Sequence, residues 1–263
     1  MTLRLLQIDT FTDRVLGGNP AAVCPLVAWL DEATMQAIAA ENNLSETAFM
    51  VPDGAGYGLR WFTPNVEVDL CGHATLAAAF VVFEDLRPGT ASVAFETKSG
   101  RLTVTREGEA LVMDFPAQPA APASPPPGLA RALGAEPAAV LAGADWIAVF
   151  EGADEVADLQ PDQALLTALD RRGVVATAPG AAGDADYVLR FFAPKNAVPE
   201  DPVTGNVQTA LAPYWAARLG KRRLAVRQLS ARGGRMVCED RGERVSISGR
   251  AVLYMDATIS ITR

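Results

Sequence analysis

The sequence predicts an α+β protein built as two similar halves, each with strands gathered about one central helix. Three observations predict it. The stretches Tyr57–Pro64 (YGLRWFTP) and Tyr187–Pro194 (YVLRFFAP) share Tyr, Leu, Arg, Phe and Pro in register. Each continues into an acidic loop, a glycine and an apolar helix, so a whole strand–loop–helix unit is repeated. The helix after the first copy, expected over 73–85, is apolar almost all round, the mark of a helix buried on every side. Finally, Pro116–Pro127 holds six prolines in twelve residues and reads as a semi-rigid extended connector. The predicted division is an N-terminal lobe over 1–117, a connector over 118–126 and a C-terminal lobe over 127–263. The last strand is able to return to the first lobe.

Each element has a local reason. Leu3–Thr10 alternates apolar and polar side chains, as a strand does. Gly17-Gly18-Asn19-Pro20 is a turn signal, and Ala21–Leu26 follows as a second strand. Asp31 is placed to cap a helix reaching about Asn42, whose apolar face carries Met35, Ile38 and Ala39. Leu44–Val51 is a strand that sets Glu46 among apolar neighbours. After the first repeat and its helix come strands at Ser92–Phe95, Leu102–Glu107 and Ala110–Phe115. Beyond the prolines, short helices are expected at Gly128–Leu133 and Leu165–Leu169, with strands at Trp146–Phe150 and Val174–Ala178. In the second repeat, Pro194, Pro199 and Pro202 forbid regular structure until Gly205. A helix then runs to Gly220, with Val207, Leu211, Tyr214, Trp215 and Leu219 at helical spacing. Four further strands close the chain, at Leu224–Leu229, Arg235–Glu239, Glu243–Ser248 and Ala251–Asp256.

Composition narrows the function. With 49% apolar and 21% charged residues, the 263-residue chain is an ordinary globular protein. A net charge of −8 argues against a nucleic-acid backbone or an anionic membrane surface as partner. The N-terminus lacks the long apolar core of a signal peptide, and no segment reaches membrane-spanning length. Cys24, Cys71 and Cys238 are too few and too scattered for a disulfide framework or a cysteine-based zinc site. A cytoplasmic, reduced, metal-free protein is expected.

The candidate chemistry sits at the two helix starts. Free N–H groups and the positive end of each helix face whatever lies in front of them, which suits an anion. Glu200 and Asp201 bring carboxyl groups to the second start, and the expected site lies in the cleft between lobes. His73, the only histidine, follows Gly72 at the first turn of the buried helix, where the helix end favours the neutral imidazole. It is a catalytic or substrate-orienting residue, or a structural one. Glu46 is either a buried acid/base with a raised pKa or an outward glutamate on an edge strand. Asp201, just before Pro202, is a site carboxylate or a capping residue. Asn19 is a binding residue or, with Gly18, simply part of a turn.

GGNPAAV (17–23), SETAF (45–49), DLCGHATLAAA (69–79), EDPVTGN (200–206) and QLSARGG (228–234) together resemble the PhzF-like, or phenazine biosynthesis-like, isomerase family. The resemblance covers the whole chain, with its motifs in order. It implies the diaminopimelate epimerase-like fold, of α/β barrel type, with two pseudo-symmetric lobes each a β-barrel around a central helix. It also implies a homodimer and a cofactor-independent isomerase that moves a proton along a conjugated acid. Carried onto this chain, Glu46 is the acid/base, while His73 and Asp201 bind and polarise the substrate. Asn19, Gly72, Ala74, Gly205 and Asn206 hold a small, cyclic or unsaturated carboxylate. The phenazine-precursor enzyme of the family has TGS followed shortly by His, whereas here Asn206 and Gln208 stand in that run. The resemblance therefore carries the isomerase chemistry and not the substrate. Two other readings share the fold: a ligand-binding protein without chemistry, and a racemase or epimerase. The latter needs a second thiol opposite Cys71, and none stands near Asp201.

Overall fold

The computed structural model describes residues 1–196 and 198–261. The N-terminal part runs β1 (Thr2–Thr10), β2 (Asn19–Pro25), α1 (Glu32–Asn42), β3 (Glu46–Asp53), β4 (Gly56–Phe62), β5 (Glu67–Val68), α2 (Gly72–Val81), β6 (Ser92–Thr97), β7 (Gly100–Glu107) and β8 (Ala110–Pro116). Next come β9 (Ala121–Pro122), α3 (Leu129–Leu133), β10 (Ala139–Ala142), β11 (Trp146–Val149), α4 (Ala153–Asp158), α5 (Gln163–Ala168), β12 (Val174–Pro179) and β13 (Tyr187–Phe192). The chain ends with α6 (Gln208–Leu219), β14 (Arg223–Gln228), β15 (Gly234–Asp240), β16 (Arg244–Gly249) and β17 (Ala251–Ser260). Two compact units result: Met1–Asp114 with Ser248–Arg263, and Phe115–Ile247. Both hold mixed sheet and few helices.

In the first unit, β1 pairs antiparallel with β2 and with the returning β17. Strand β2 pairs parallel with β3, which sets Ala21 opposite Glu46. Strand β4 pairs antiparallel with β3 and parallel with β6. The turn into β2 demands glycine. Gly18 has φ +62, and a Cβ there would lie 2.0 Å from the Thr10 carbonyl oxygen. Asp31 caps α1 as expected, accepting from the Thr34 amide at 2.9 Å. Helix α2 packs on β1, β2 and β3, and Ala74 to Ala79 are all buried. It stops short of the predicted span. The α-helix ends at Val81, and Val82–Leu86 form a wider π turn closed by the Arg87 amide on the Val82 carbonyl, 2.7 Å.

In the second unit, β12 lies between parallel β11 and antiparallel β13, and β13 pairs parallel with β14. Its core gathers Leu129, Leu133, Trp146, Phe150, Val174 and Phe192. The stretch expected as a connector is bound into this unit. Pro213 inside α6 has no N–H to give the Thr209 carbonyl, and the Gln118 amide supplies it at 2.9 Å. Ala121–Pro122 then pairs with β10. Strand β10 and helix α4 have no counterpart in the sequence reading. The first is alanine-rich, with little β preference, and the second is six residues without a side-chain cap. Among the described residues, no helix is long and apolar enough to cross a membrane.

Candidate active site

The first unit brings Glu46 and His73 together. Glu46 opens β3 and His73 is the second residue of α2, so a strand start meets a helix start. Glu46 Oε2 lies 3.1 Å from His73 Nε2, with the side chains 18% and 8% exposed. Glu46 thus faces inward. The approach is within hydrogen-bonding distance but is not aligned as a finished bond at Nε2, a common state of acid/base pairs before a ligand arrives. On the other side of the ring, Nδ1 lies 3.5 Å from Cys71 Sγ. Burial pushes the imidazole pKa down to about 3, so the ring is neutral at physiological pH. The direction is the one expected, with loss of water as its cause rather than the helix end.

Neighbouring groups hold this pair. Cys71 is the extended N-cap of α2, and its carbonyl accepts from the Thr75 amide at 3.1 Å and the Thr75 hydroxyl at 2.6 Å. The amides of Gly72, His73 and Ala74 precede the first intrahelical bond of α2 and are donors by position. Ala74 itself is fully buried, so only its backbone is available to a ligand. Asn19, also fully buried, accepts from Ser45 Oγ at 3.2 Å through its side chain and from Thr10 Oγ1 at 2.9 Å through its carbonyl. Glu46 therefore sits beside a built polar corner.

The second unit holds Asp201, Gly205 and Asn206. Thr204 Oγ1 donates to Asp201 Oδ2 at 2.5 Å. Gln228, fully buried, fixes the same loop: its carbonyl oxygen accepts from the Thr204 amide (2.8 Å) and its amide donates to the Asp201 carbonyl (2.7 Å). Ser230 Oγ adds a bond to the Pro202 carbonyl, 2.7 Å. The QLSARGG run thus supports the EDPVTGN loop, a relation that spacing in the sequence does not reveal. Helix α6 begins at Gln208, later than expected, and Gly205–Val207 form a turn before it. Gly205 offers a carbonyl to the Gln208 amide at 3.0 Å. Asn206 Oδ1 is buried without a hydrogen-bond partner among the described residues, a condition that calls for an explanation in a native protein.

One expectation is corrected by the structure. Glu200 is not a site carboxylate, because Arg190 grips it with two bonds of 2.7 and 2.9 Å. Gln208, in the run where a family enzyme has His, accepts from the Tyr187 hydroxyl at 2.6 Å and donates to the Thr204 carbonyl at 3.1 Å.

Glu46, Cys71 and His73 carry ligand atoms within 4.8 Å of one another, which raises the question of a metal. The ring answers it. Cys71 faces Nδ1 and Glu46 faces Nε2, on opposite sides of one imidazole, so a single ion does not reach all three without the ring turning. The other thiols are structural. Burial raises Cys24 and Cys238 to about 12, leaving no second reactive thiol for a two-thiol inversion among the described residues.

The sequence model of one family, described as phenazine biosynthesis-like protein (PhzC-PhzF), matches residues 8–257. A Pseudomonas aeruginosa protein named "Uncharacterized isomerase" is 53% identical, covering 99% of this chain and all of its own. The chain belongs to this family. A crystal structure of a PhzF-family phenazine biosynthesis protein from Enterococcus faecalis superposes with a TM-score of 0.96 at 43% identity, over 99% of this chain and 100% of that one. A hydroxyproline epimerase from Agrobacterium vitis, covering 98% of this chain and 92% of its own, matches with a TM-score of 0.62 at 10% identity. That likeness is one of fold alone. Two Pseudomonas aeruginosa relatives, 53% and 49% identical, carry the name isomerase, and the chain is an isomerase-like member of the phenazine biosynthesis-like family.

Proposed function

We propose that the protein is a cofactor-independent isomerase that moves a proton on a small, cyclic or unsaturated carboxylic acid, with Glu46 as the acid/base. The observation that carries this reading is the half-buried Glu46 carboxyl group 3.1 Å from a neutral, buried His73. Glu46 takes a proton from one substrate carbon, the C–H electron pair stays in the conjugated acid, and the same proton is returned to another carbon. Atoms and charge balance with no added reagent. His73 polarises the substrate, and the amides at Gly72 and Ala74 bind its carboxylate, where donors stabilise charge that develops as the C–H bond breaks. Asp201, Gly205 and Asn206 are proposed as further substrate contacts, with Asn19 supporting Glu46. The same reading carries a fold of two barrel-like halves, each around its helix, and a homodimer, as the family resemblance implies.

The test is solvent exchange. Cyclic and unsaturated carboxylic acids are screened by thermal shift, and each hit is incubated in deuterated water. Wild-type protein is expected to place deuterium on a substrate carbon. Glu46→Gln is expected to bind the same acid and to lose at least about 100-fold in exchange, the usual worth of a positioned acid/base. A Glu46→Gln variant that exchanges at the wild-type rate sinks the proposal, and ligands that bind without any exchange in the wild type leave the binding-protein reading in its place.

A further inference from the structure

The lone histidine of this chain has a different partner on each ring nitrogen, and only one of its two neutral forms suits both. With the proton on Nε2, an N–H lies 3.1 Å from the Glu46 carboxyl oxygen, close enough to complete a bond with a small turn of the ring, and the Nδ1 lone pair faces a thiol that has a hydrogen to give. With the proton on Nδ1, the Nε2 lone pair faces the lone pairs of a carboxylate, and the ring N–H is left to sulfur, a weak acceptor. The backbone that carries the sulfur is held: Cys71 is extended at φ −142, two bonds from Thr75 hold its carbonyl, and the buried Sγ lies 3.5 Å from Nδ1.

We propose that Cys71 is a positioning residue whose thiol donates to His73 Nδ1, keeping the ring proton on Nε2 and so presenting Glu46 as a proton acceptor in the resting enzyme. The proposal rests on Glu46 as the acid/base. It adds what holds Glu46 in the proton-accepting state with which that reaction begins. It also gives the thiol a role that needs no second cysteine, unlike a two-thiol racemase. The proton held by one nitrogen of a histidine is set by the bond the other nitrogen makes.

Because the chain has a single histidine, the tautomer is directly readable. The full chain, without a histidine tag, is labelled with 15N-histidine, and long-range proton–nitrogen correlation at neutral pH gives one imidazole pattern. Nε2 couples to both ring carbon protons and identifies itself. The expected wild-type result is a protonated Nε2 and a bare Nδ1. In Cys71→Ala the pattern moves toward a mixture of tautomers. Turnover on an exchanging acid then falls about 10-fold with KM little changed, as when the orienting partner of a histidine is lost. Cys71→Ser, whose hydroxyl is also a donor, keeps the Nε2–H form and recovers most of the rate. A wild-type spectrum with the proton on Nδ1 overturns the proposal. So does a Cys71→Ala protein with wild-type tautomer and turnover, or a serine variant that loses the tautomer. Should the alanine variant not fold, the wild-type and serine spectra decide by themselves. They need no substrate, so their failure is distinct from failure of the Glu46 exchange test.

Discussion

The two strand–loop–helix units share a skeleton and part company at the chemistry. In the first, Arg60 makes two 2.7 Å bonds to Glu67 and stacks over Phe62, its guanidinium 5.3 Å from the ring centre. In the second, Arg190 makes two bonds to Glu200 and stacks over Phe192 at 5.0 Å. The helix starts correspond as well. Thr75 Oγ1 returns to the Cys71 carbonyl four residues earlier, and Gln208 Nε2 returns to the Thr204 carbonyl four residues earlier. Between those fixed points the first unit holds Cys71 and His73, while the second holds Thr204 and Asn206. One start carries a titratable ring beside a carboxyl group. The other carries an amide and hydroxyl network of Thr204 and Gln228 around Asp201, beside the unmatched side-chain carbonyl oxygen of Asn206. Repetition thus preserved what shapes the loops and released what acts in them.

The clamps give the largest test of that comparison. Arg190 is only 12% exposed and also donates to the carbonyls of Val156, Ala157 and Leu159. Arg190→Ala strands Glu200 and three carbonyls, and is expected to cost about 4 kcal/mol in urea unfolding, near the middle of the range for breaking one side of a buried pair. Arg60 is 22% exposed, and Glu67 keeps Lys98 at 2.6 Å when Arg60 is gone. Arg60→Ala is therefore expected to cost about 2 kcal/mol, discounted for solvent and the remaining lysine. Equal losses in the two variants would break the claim that the second clamp carries more of its unit.

The repeated clamp also shows what the sequence discloses and what it conceals. Tyr, Leu, Arg, Phe and Pro recur in register because the strand and its stacked arginine need them, so the duplication is legible. The partner of each arginine is not. Glu200 and Asp201 are adjacent carboxylates in one loop, and only the fold sends the first to Arg190 and the second to Thr204. The approach of Glu46 to His73 follows from the motifs of the family rather than from any spacing. The Cys71–His73 contact escapes a helical reading, since residues two apart on a helix do not face each other. It exists because Cys71 is extended and still outside the helix. Gln228 and Ser230 were visible as part of a motif, but their task of holding the Asp201 loop belongs to β14 and its turn.

The matched side-chain returns at the helix starts differ in load. Tyr187 and Gln208 are fully buried, and Gln208→Leu takes the amide partner from the Tyr187 hydroxyl, which keeps only the weakly bonding Cys238 thiol, and from the Thr204 carbonyl. About 3 kcal/mol is expected, at a fraction to the full desolvation cost for each of two groups. Thr75→Val removes one bond while the Cys71 carbonyl keeps the Thr75 amide, so about 1 kcal/mol is expected. Chemical denaturation of both variants decides whether the second start is the more deeply wired of the two.

Acid separates the two starts most cleanly, since His73 titrates and its counterpart Asn206 does not. The sign follows from proton counting. The folded ring stays neutral down to about 3, while the unfolded chain takes up a proton near its ordinary value of 6.5. Between those values the unfolded state binds more protons, so stability falls as the pH drops through that window and levels off below it. Moving from pH 7 to pH 5 is expected to cost about 2 kcal/mol from this residue alone. Carboxylates such as Glu67, held low by Arg60, lose their contribution only at lower pH, as they protonate. Unfolding of wild type and His73→Asn at pH 7 and pH 5 isolates the term: the variant should lack that 2 kcal/mol, and Asn206→Ala should keep it. An unchanged pH dependence in His73→Asn would mean the ring is solvated or charged in the folded protein. The contrast between a titrating and a non-titrating helix start would then disappear.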